Sequence, residues 1–284
     1  MINYVTPKFS NSEILNLLEQ KYNLSGELNE LPGYCDQNLR LTTTDHQQYI
    51  IKIANIAEPA QALAMQNSAM AHLTEKKLAV PHAITNDDGE LISVISDKSG
   101  LAFSLRVLTY IEGKFYAEAA SDKHNKQLWQ SLGQFIGQVD VALSDFQHAG
   151  AYRYLDWDLA HGFAICQSKK SLLTSEQQNI VNEFLTHYQT HTLPLVSQLP
   201  QGVIHNDAND WNVLTKNGKV SGIIDFGDMC HSWIINEVAV AITYVMMEKE
   251  NPLEIASEVI KGYCELFPLE EIELRVLYYL VAGR

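Results

Sequence analysis

A chain of 284 residues, 46% hydrophobic and 19% charged, has the composition of an ordinary folded protein, long enough for one large domain or two lobes and too apolar for disorder. Its formal charge of −14 repels polyanions, which argues against nucleic acid or an acidic membrane surface as the main partner and tolerates a cationic or zwitterionic small molecule. The opening Met1-Ile2-Asn3-Tyr4-Val5-Thr6-Pro7 lacks the basic start and apolar core of a signal peptide, and no apolar run is long enough to span a bilayer. The four cysteines are scattered and make no zinc-type pair, so the sequence predicts a cytoplasmic protein with reduced thiols.

Ser10-Asn11-Ser12-Glu13 reads as a capping box, followed by Ile14, Leu17, Leu18 and Tyr22 on one helical face. Three strand-like runs follow near Glu27–Leu31, Asn38–Thr43 and Gln48–Ala54, an antiparallel meander. Pro59 opens a helix to about Lys77, and Asn86-Asp87-Asp88-Gly89 predicts a hairpin between Pro81 and Ile95. A strand from Leu101 to Tyr110 then completes a five-stranded sheet. Beyond Gly113 the pattern turns helical, with the clearest helix predicted over Ser121–Phe146 and others near Glu237–Glu248, Leu253–Leu266 and Leu269–Val281. One β interruption breaks this half: Gly202–His205, then Val213–Leu214 and Val220–Ile224 joined through Asn217-Gly218, a strong two-residue hairpin signal. Strands first and helices later imply an α+β protein with a small, antiparallel β-rich lobe (1–112) and a larger, mainly helical one (113–284).

The residues around that hairpin carry the chemistry. Val203 to Leu214 read Val-Ile-His-Asn-Asp-Ala-Asn-Asp-Trp-Asn-Val-Leu, so a strand delivers His205 and Asp207, and Asn212 follows five residues after that Asp. Asp225-Phe226-Gly227 ends the hairpin. Phosphoryl transfer needs a carboxylate to orient the attacking hydroxyl and accept its proton, and hard oxygen ligands for magnesium. Asp207, Asn212 and Asp225 supply those groups from about twenty residues of chain. The plainer alternative, that these residues merely cap turns in a polar loop, does not account for Asp225 following a strand in the required context.

The set His205-x-Asp207-x4-Asn212 with Asp225-x-Gly227 resembles the aminoglycoside phosphotransferase and choline kinase superfamily, which is built on the protein-kinase fold. Within it, Leu31-Pro32-Gly33-Tyr34-Cys35-Asp36-Gln37-Asn38, Tyr49-Ile50-Ile51-Lys52-Ile53 and Asp225-Phe226-Gly227-Asp228-Met229 look most like the hydroxylysine kinase branch. The resemblance covers nearly the whole chain. It implies a protein-kinase-like two-lobed fold and a transfer of the γ-phosphoryl group of ATP or GTP, with Mg²⁺, to a hydroxyl. It implies Asp207 as base, Asn212 and Asp225 as metal ligands, His205 as a brace, and Glu237 as a support of the loop. Lys52 then pairs with the α- and β-phosphates, Gln66 stands where relatives carry the glutamate that holds that lysine, and Thr109, Tyr110, Ile111 and Glu112 form the hinge that meets the purine. Two departures stand out. Gln66 offers only an amide oxygen to Lys52, and the phosphate lid has only Gly33.

Asp210, Trp211 and Asp228 lie near where an acceptor must approach Asp207, and Tyr154, Asp156, Trp157 and Asp158 form an aromatic-acidic cluster that suits a wall of the pocket. Acidic groups there favour an amine-bearing alcohol such as 5-hydroxylysine, though loops are rich in Asp for turn reasons alone. Aminoglycosides, choline, ethanolamine and homoserine are the competing acceptors. A catalytically silent nucleotide-binding pseudokinase is the competing class, suggested by Gln66 and the sparse lid.

Overall fold

Ser10 starts the first helix, α1 (Asn11–Tyr22), by the reciprocal bonding its sequence predicts: its hydroxyl accepts the N–H of Glu13, and the Glu13 carboxylate accepts the N–H of Ser10 at 2.8 Å. The computed structural model describes residues 5–119 and 125–284 and divides into two units. One runs to Thr74 and includes Val80–Ile111; the other is Glu75–Ala79 with Glu112–Arg284.

In the first unit β1 (Gly26–Leu31), β2 (Gln37–Thr43) and β3 (Gln48–Ala54) form the expected meander, with α2 (Ala60–Glu75) after it. The period-2 pattern drives the packing. Leu39, Leu41, Ile51 and Ile53 turn one way and are fully buried with Ile14 and Leu18 of α1 and Leu105 and Val107 of a later strand, while Lys52 turns the other way. Each such side chain stabilises the fold by about 1.5–3 kcal/mol.

The sheet departs from expectation beyond that. It has six strands in the order β1, β2, β3, β6 (Ala102–Thr109) and β4 (Ala83–Ile84), with β5 (Ser93–Ser96) also on β6. The short β4 and β5 do not pair as a hairpin; both pair with β6, Ile84 opposite Val107 and Ser93 opposite Leu105. Asn86 is the cause. Its buried side chain accepts the N–H groups of Asp88 and Glu90 and donates to Ser93 Oγ at 2.9 Å, which folds the turn on itself and sets the two short strands along one neighbour.

The second unit contains β7 (Lys114–Phe115), α3 (Lys126–Leu143), α4 (Leu159–Lys169), α5 (Ser175–His191), β8 (Gln201–Ile204), β9 (Val213–Lys216), β10 (Lys219–Ile223), β11 (Cys230–Trp233), α6 (Ile235–Met246), α7 (Pro252–Cys264) and α8 (Glu271–Gly283). The predicted start of the α3 helix at 121–124 lies outside the described residues. α3 crosses α7 so closely that a Cβ on Gly133 would overlap the Val259 carbonyl, and one on Gly262 the Gln130 carbonyl. β9 and β10 form the predicted hairpin, with Asn217 at φ 55° and Gly218 at φ 76° as a two-residue turn of this kind demands. Two strands come without a sequence signal: β11 pairs with β8, and the two-residue β7 pairs with β9. Among the described residues no helix is long and apolar enough to cross a membrane.

Candidate active site

β8 ends at buried Ile204, opposite Cys230 of β11, and releases the chain into a loop held by three buried groups. His205 is fully buried; its Nδ1 accepts the N–H of Asp207 at 3.3 Å and its Nε2 meets the Ile224 carbonyl at 3.1 Å. This pattern belongs to the neutral ring protonated on Nε2, and burial pushes the His205 pKa down to about 4 against the pull of Asp225. Asn206 takes a left-handed φ of 67°. Its N–H is held by the buried Glu237 carboxylate of α6 at 2.9 Å, and its side-chain amide donates to the Asp228 carbonyl at 3.2 Å. The loop is therefore pinned to α6, to the end of β10 and to the turn after it.

Asp207 sits at the centre of these anchors. Its Oδ2 accepts from Asn212 Nδ2 at 2.7 Å and Asn209 Nδ2 at 3.0 Å; its Oδ1 accepts from Arg284 Nη2 at 2.9 Å. Burial raises the Asp207 pKa to about 6, helped by the charges of Asp228 and Asp225 and opposed by Asn209 and Arg284. Asn212 donates through the same Nδ2 to the Asp207 carbonyl at 2.9 Å, which leaves Oδ1 as its candidate ligand atom. The Ile224 N–H bonds the Asn212 carbonyl at 2.9 Å and brings the end of β10 beside the loop. There Asp225, exposed and at φ 60°, accepts the Gly227 N–H at 3.3 Å.

Among the described residues no three His, Cys, Asp or Glu side chains gather into a metal cage. The donor set instead fits magnesium, which takes one or two protein oxygens and completes its shell with phosphate and water. The Oδ1 of buried Asn212, whose Nδ2 is taken up by Asp207, and the exposed Asp225 carboxylate suit such a pair.

The other predicted residues divide. Asp210 and Trp211 line a cleft of about 510 Å³ with Tyr116, Tyr244 and Glu248, and the Trp211 ring lies 5.6 Å from that of Phe115. Asp228 lies at the turn after Asp225, where its charge raises the Asp207 pKa. Trp157 is exposed, and its carbonyl accepts from Arg284 Nη1 at 2.6 Å. Asp158, expected in the pocket wall, is instead buried: it caps α4 through the Ala160 N–H and accepts from Ser232 Oγ at 2.7 Å, because a helix start needs that acceptor.

In the first unit Lys52 stands on β3 opposite Asn38 and Arg106. Gln66 does not offer its amide oxygen to Lys52 as expected; that oxygen accepts from Arg106 Nη2 at 2.8 Å, while the amide nitrogen donates to Glu58 at 3.3 Å. A buried guanidinium requires acceptors, and Gln66 and Asn67 provide them. Thr109 is tied to His82 through its N–H, at 3.0 Å, and its hydroxyl. Tyr110 and Ile111 follow β6 without regular structure, and Glu112, the first residue back in the second unit, pairs with Lys216 at 3.3 Å. Sequence reasoning missed Arg284 and Asn209; a single arginine after a helix carries no motif, and Asn209 reads as one more loop residue.

Comparison with known proteins bears on the family and the fold. The family model described as "Phosphotransferase enzyme family" matches residues 27–273. Hydroxylysine kinase of Mus musculus is 28% identical over 98% of this chain and 80% of its own length. A solved amicoumacin kinase, hAmiN, in complex with AMP-PNP and Ca²⁺, superposes with a TM-score of 0.78 at 20% identity, covering 97% of this chain and 84% of that one. A microcompartment-associated aminopropanol kinase gives a TM-score of 0.75 at 16% identity, covering 96% and 86%. These likenesses establish the protein-kinase-like α+β fold that the motifs imply.

Proposed function

Because this chain belongs to the phosphotransferase enzyme family and is a kinase of small hydroxyl-bearing molecules, we propose that it phosphorylates an amino-alcohol of the 5-hydroxylysine type, using a nucleoside triphosphate held with magnesium. The observation that carries the reading is the Asp207 carboxylate, half-buried and bonded to Asn212 beside the end of β10. Asp207 orients the acceptor hydroxyl and takes its proton as the oxygen attacks the γ-phosphorus. The new O–P bond forms as the bond to the bridging oxygen breaks, leaving a nucleoside diphosphate. Asn212, through Oδ1, and Asp225 hold the magnesium, which when bound offsets negative charge on the phosphates. His205 and Glu237 keep the loop in shape.

Lys52 pairs with the α- and β-phosphates, and the backbone of Thr109, Tyr110, Ile111 and Glu112 meets the purine. Gln66 supports this indirectly, through Arg106, the cross-strand neighbour of Lys52. For the acceptor, Asp210 and Glu248 outweigh Lys249 in a cleft with the aromatic walls Tyr116, Trp211 and Tyr244, and we assign Asp228 and Trp157 to the acceptor as well. Such a lining suits an ammonium group. An amine beside a hydroxyl is also what the names hydroxylysine kinase and aminopropanol kinase describe in the relatives. We place the reaction in the cytoplasm, where the four free cysteines stay reduced.

Turnover with Mg²⁺ and either ATP or GTP, across 5-hydroxylysine, ethanolamine, choline, homoserine and an aminoglycoside, tests the acceptor. The highest kcat/KM is expected for 5-hydroxylysine. A preference for the aminoglycoside by an order of magnitude or more would overturn the acceptor reading, and no turnover of any alcohol would overturn the reading as a kinase.

A further inference from the structure

Arg284 lies outside residues 27–273, the part of the chain that the family model matches, yet its guanidinium reaches the centre of the site. We propose that Arg284 is a positioning residue for phosphoryl transfer, fixing the plane of the Asp207 carboxylate from the side opposite Asn212 and Asn209. This rests on Asp207 being the group that receives the acceptor hydroxyl.

The geometry is that of a built contact. The Arg284 side chain is 5% exposed, against 19% for that of Asp207. Its Nη2 donates to Asp207 Oδ1 at 2.9 Å and its Nη1 to the Trp157 carbonyl at 2.6 Å, so one planar fork links the carboxylate to the chain just before α4. The guanidinium carbon is 5.7 Å from the ring centres of both Trp157 and Tyr244, within cation–π range of each. α8 carries the residue to this point, and the Arg284 N–H continues the helix by bonding the Leu280 carbonyl at 3.2 Å. Backbone, fork and two rings thus determine where the guanidinium sits.

The consequence follows from where the other donors fall. Asn212 and Asn209 both bond Oδ2. Two donors on one oxygen leave a carboxylate free to swing about that oxygen, and a third donor on Oδ1 stops the swing. In-line transfer tolerates little of it, because a misplacement of about 1 Å costs about 10²-fold in rate. Asp225 and Asp228 also place negative charge near Asp207, and the guanidinium is the fixed positive group that holds the carboxylate against their repulsion. Tyr244 extends the arrangement outward, since it both flanks Arg284 and lines the cleft with Asp210 and Trp211.

The test uses the whole chain with Arg284→Ala, Arg284→Lys and Arg284→Gln, and Asp207→Asn as control, reading kcat, the KM for nucleotide, thermal stability and the response to millimolar guanidinium chloride. We expect Arg284→Ala to lose about 10²-fold in kcat, with the nucleotide KM changed less than about threefold. Arg284→Lys should lose less, because it keeps the charge without the fork, and guanidinium should restore part of the Arg284→Ala rate but none of the Asp207→Asn rate. Should Arg284→Ala fail to fold, Lys and Gln, which keep one donor and most of the volume, are read in its place, with Lys expected above Gln. The proposal is overturned if kcat stays within about threefold of the parent, or if the loss follows thermal stability across the series and guanidinium relieves none of it. An Asp207→Asn variant that still turns over would instead overturn the reading of Asp207 and leave the Arg284 result to be judged by itself.

Discussion

The buried carboxylate of Glu237 accepts the backbone N–H of Asn206 at 2.9 Å, so a side chain from α6 holds the left-handed residue that aims Asp207. Removing that acceptor in Glu237→Ala orphans a buried N–H, at a cost of about 1–3 kcal/mol, and lets Asn206 relax. Turnover should fall by about 10²-fold, whereas Glu237→Gln, which keeps an acceptor oxygen, should retain most of it. Equal losses in the two variants would contradict the anchoring role.

Glu237 also makes stability depend on pH. Burial pushes its pKa up to about 7 from an ordinary 4.5, so the folded chain binds a proton there that the unfolded chain releases. Folding is therefore favoured by this group at low pH, and the advantage is lost as pH rises from about 4.5 through about 7. Urea unfolding at pH 5 and pH 8 should show a smaller pH-dependent difference in Glu237→Gln than in the parent protein.

The activity profile has the opposite sense. As the proposed base Asp207 must be ionised, and burial raises its pKa to about 6, so kcat/KM should fall on the acid side as pH drops through about 6. A limb near pH 4, the ordinary range for an exposed aspartate, would show that the carboxylate is solvated during the reaction.

Asn212 and Asp225 should control the response to metal. Chelation should abolish turnover and added Mg²⁺ restore it. Asp225→Asn keeps a side chain suited to the left-handed backbone at that position, yet removes the charge, and is expected to raise the Mg²⁺ concentration for half-maximal rate by about tenfold or more. Asn212→Ala should act in the same direction. An unchanged Mg²⁺ titration in both would place the ion elsewhere.

Gly133 offers a test of the scaffold apart from the chemistry. A methyl group there meets the Val259 carbonyl, and forcing α3 away from α7 should destabilise the protein by about 1–3 kcal/mol or more. The folded fraction should keep its KM values, which measurements below the unfolding transition can check.

Much of this was legible in the sequence because local chemistry decided it. The capping box at Ser10 and Glu13, the alternation through Ile51 and Ile53, and the Asn217-Gly218 turn each act within a few residues, and each is found where its pattern predicts. Asp207, Asn212 and Asp225 stand out by their spacing, and the structure bonds Asp207 to Asn212 and ties Asn212 to Ile224, the residue before Asp225. What escaped depends on distant partners. β11 becomes a strand by pairing with β8, and β4 and β5 share β6 because buried Asn86 reshapes the turn between them. Gln66 meets Arg106, forty positions away, rather than Lys52, and Asp158 turns inward to cap a helix. Arg284 reaches Asp207 across 77 positions, a distance over which no local pattern operates.

The central claim is that Asp207 receives the proton of the acceptor hydroxyl. Its most direct test compares steady-state turnover and nucleotide affinity in Asp207→Asn and the parent protein, with Mg²⁺ and the best acceptor present. A fall in kcat of about 10²–10⁴-fold, with nucleotide binding nearly intact, is the predicted result. Turnover within a few-fold of the parent would contradict it.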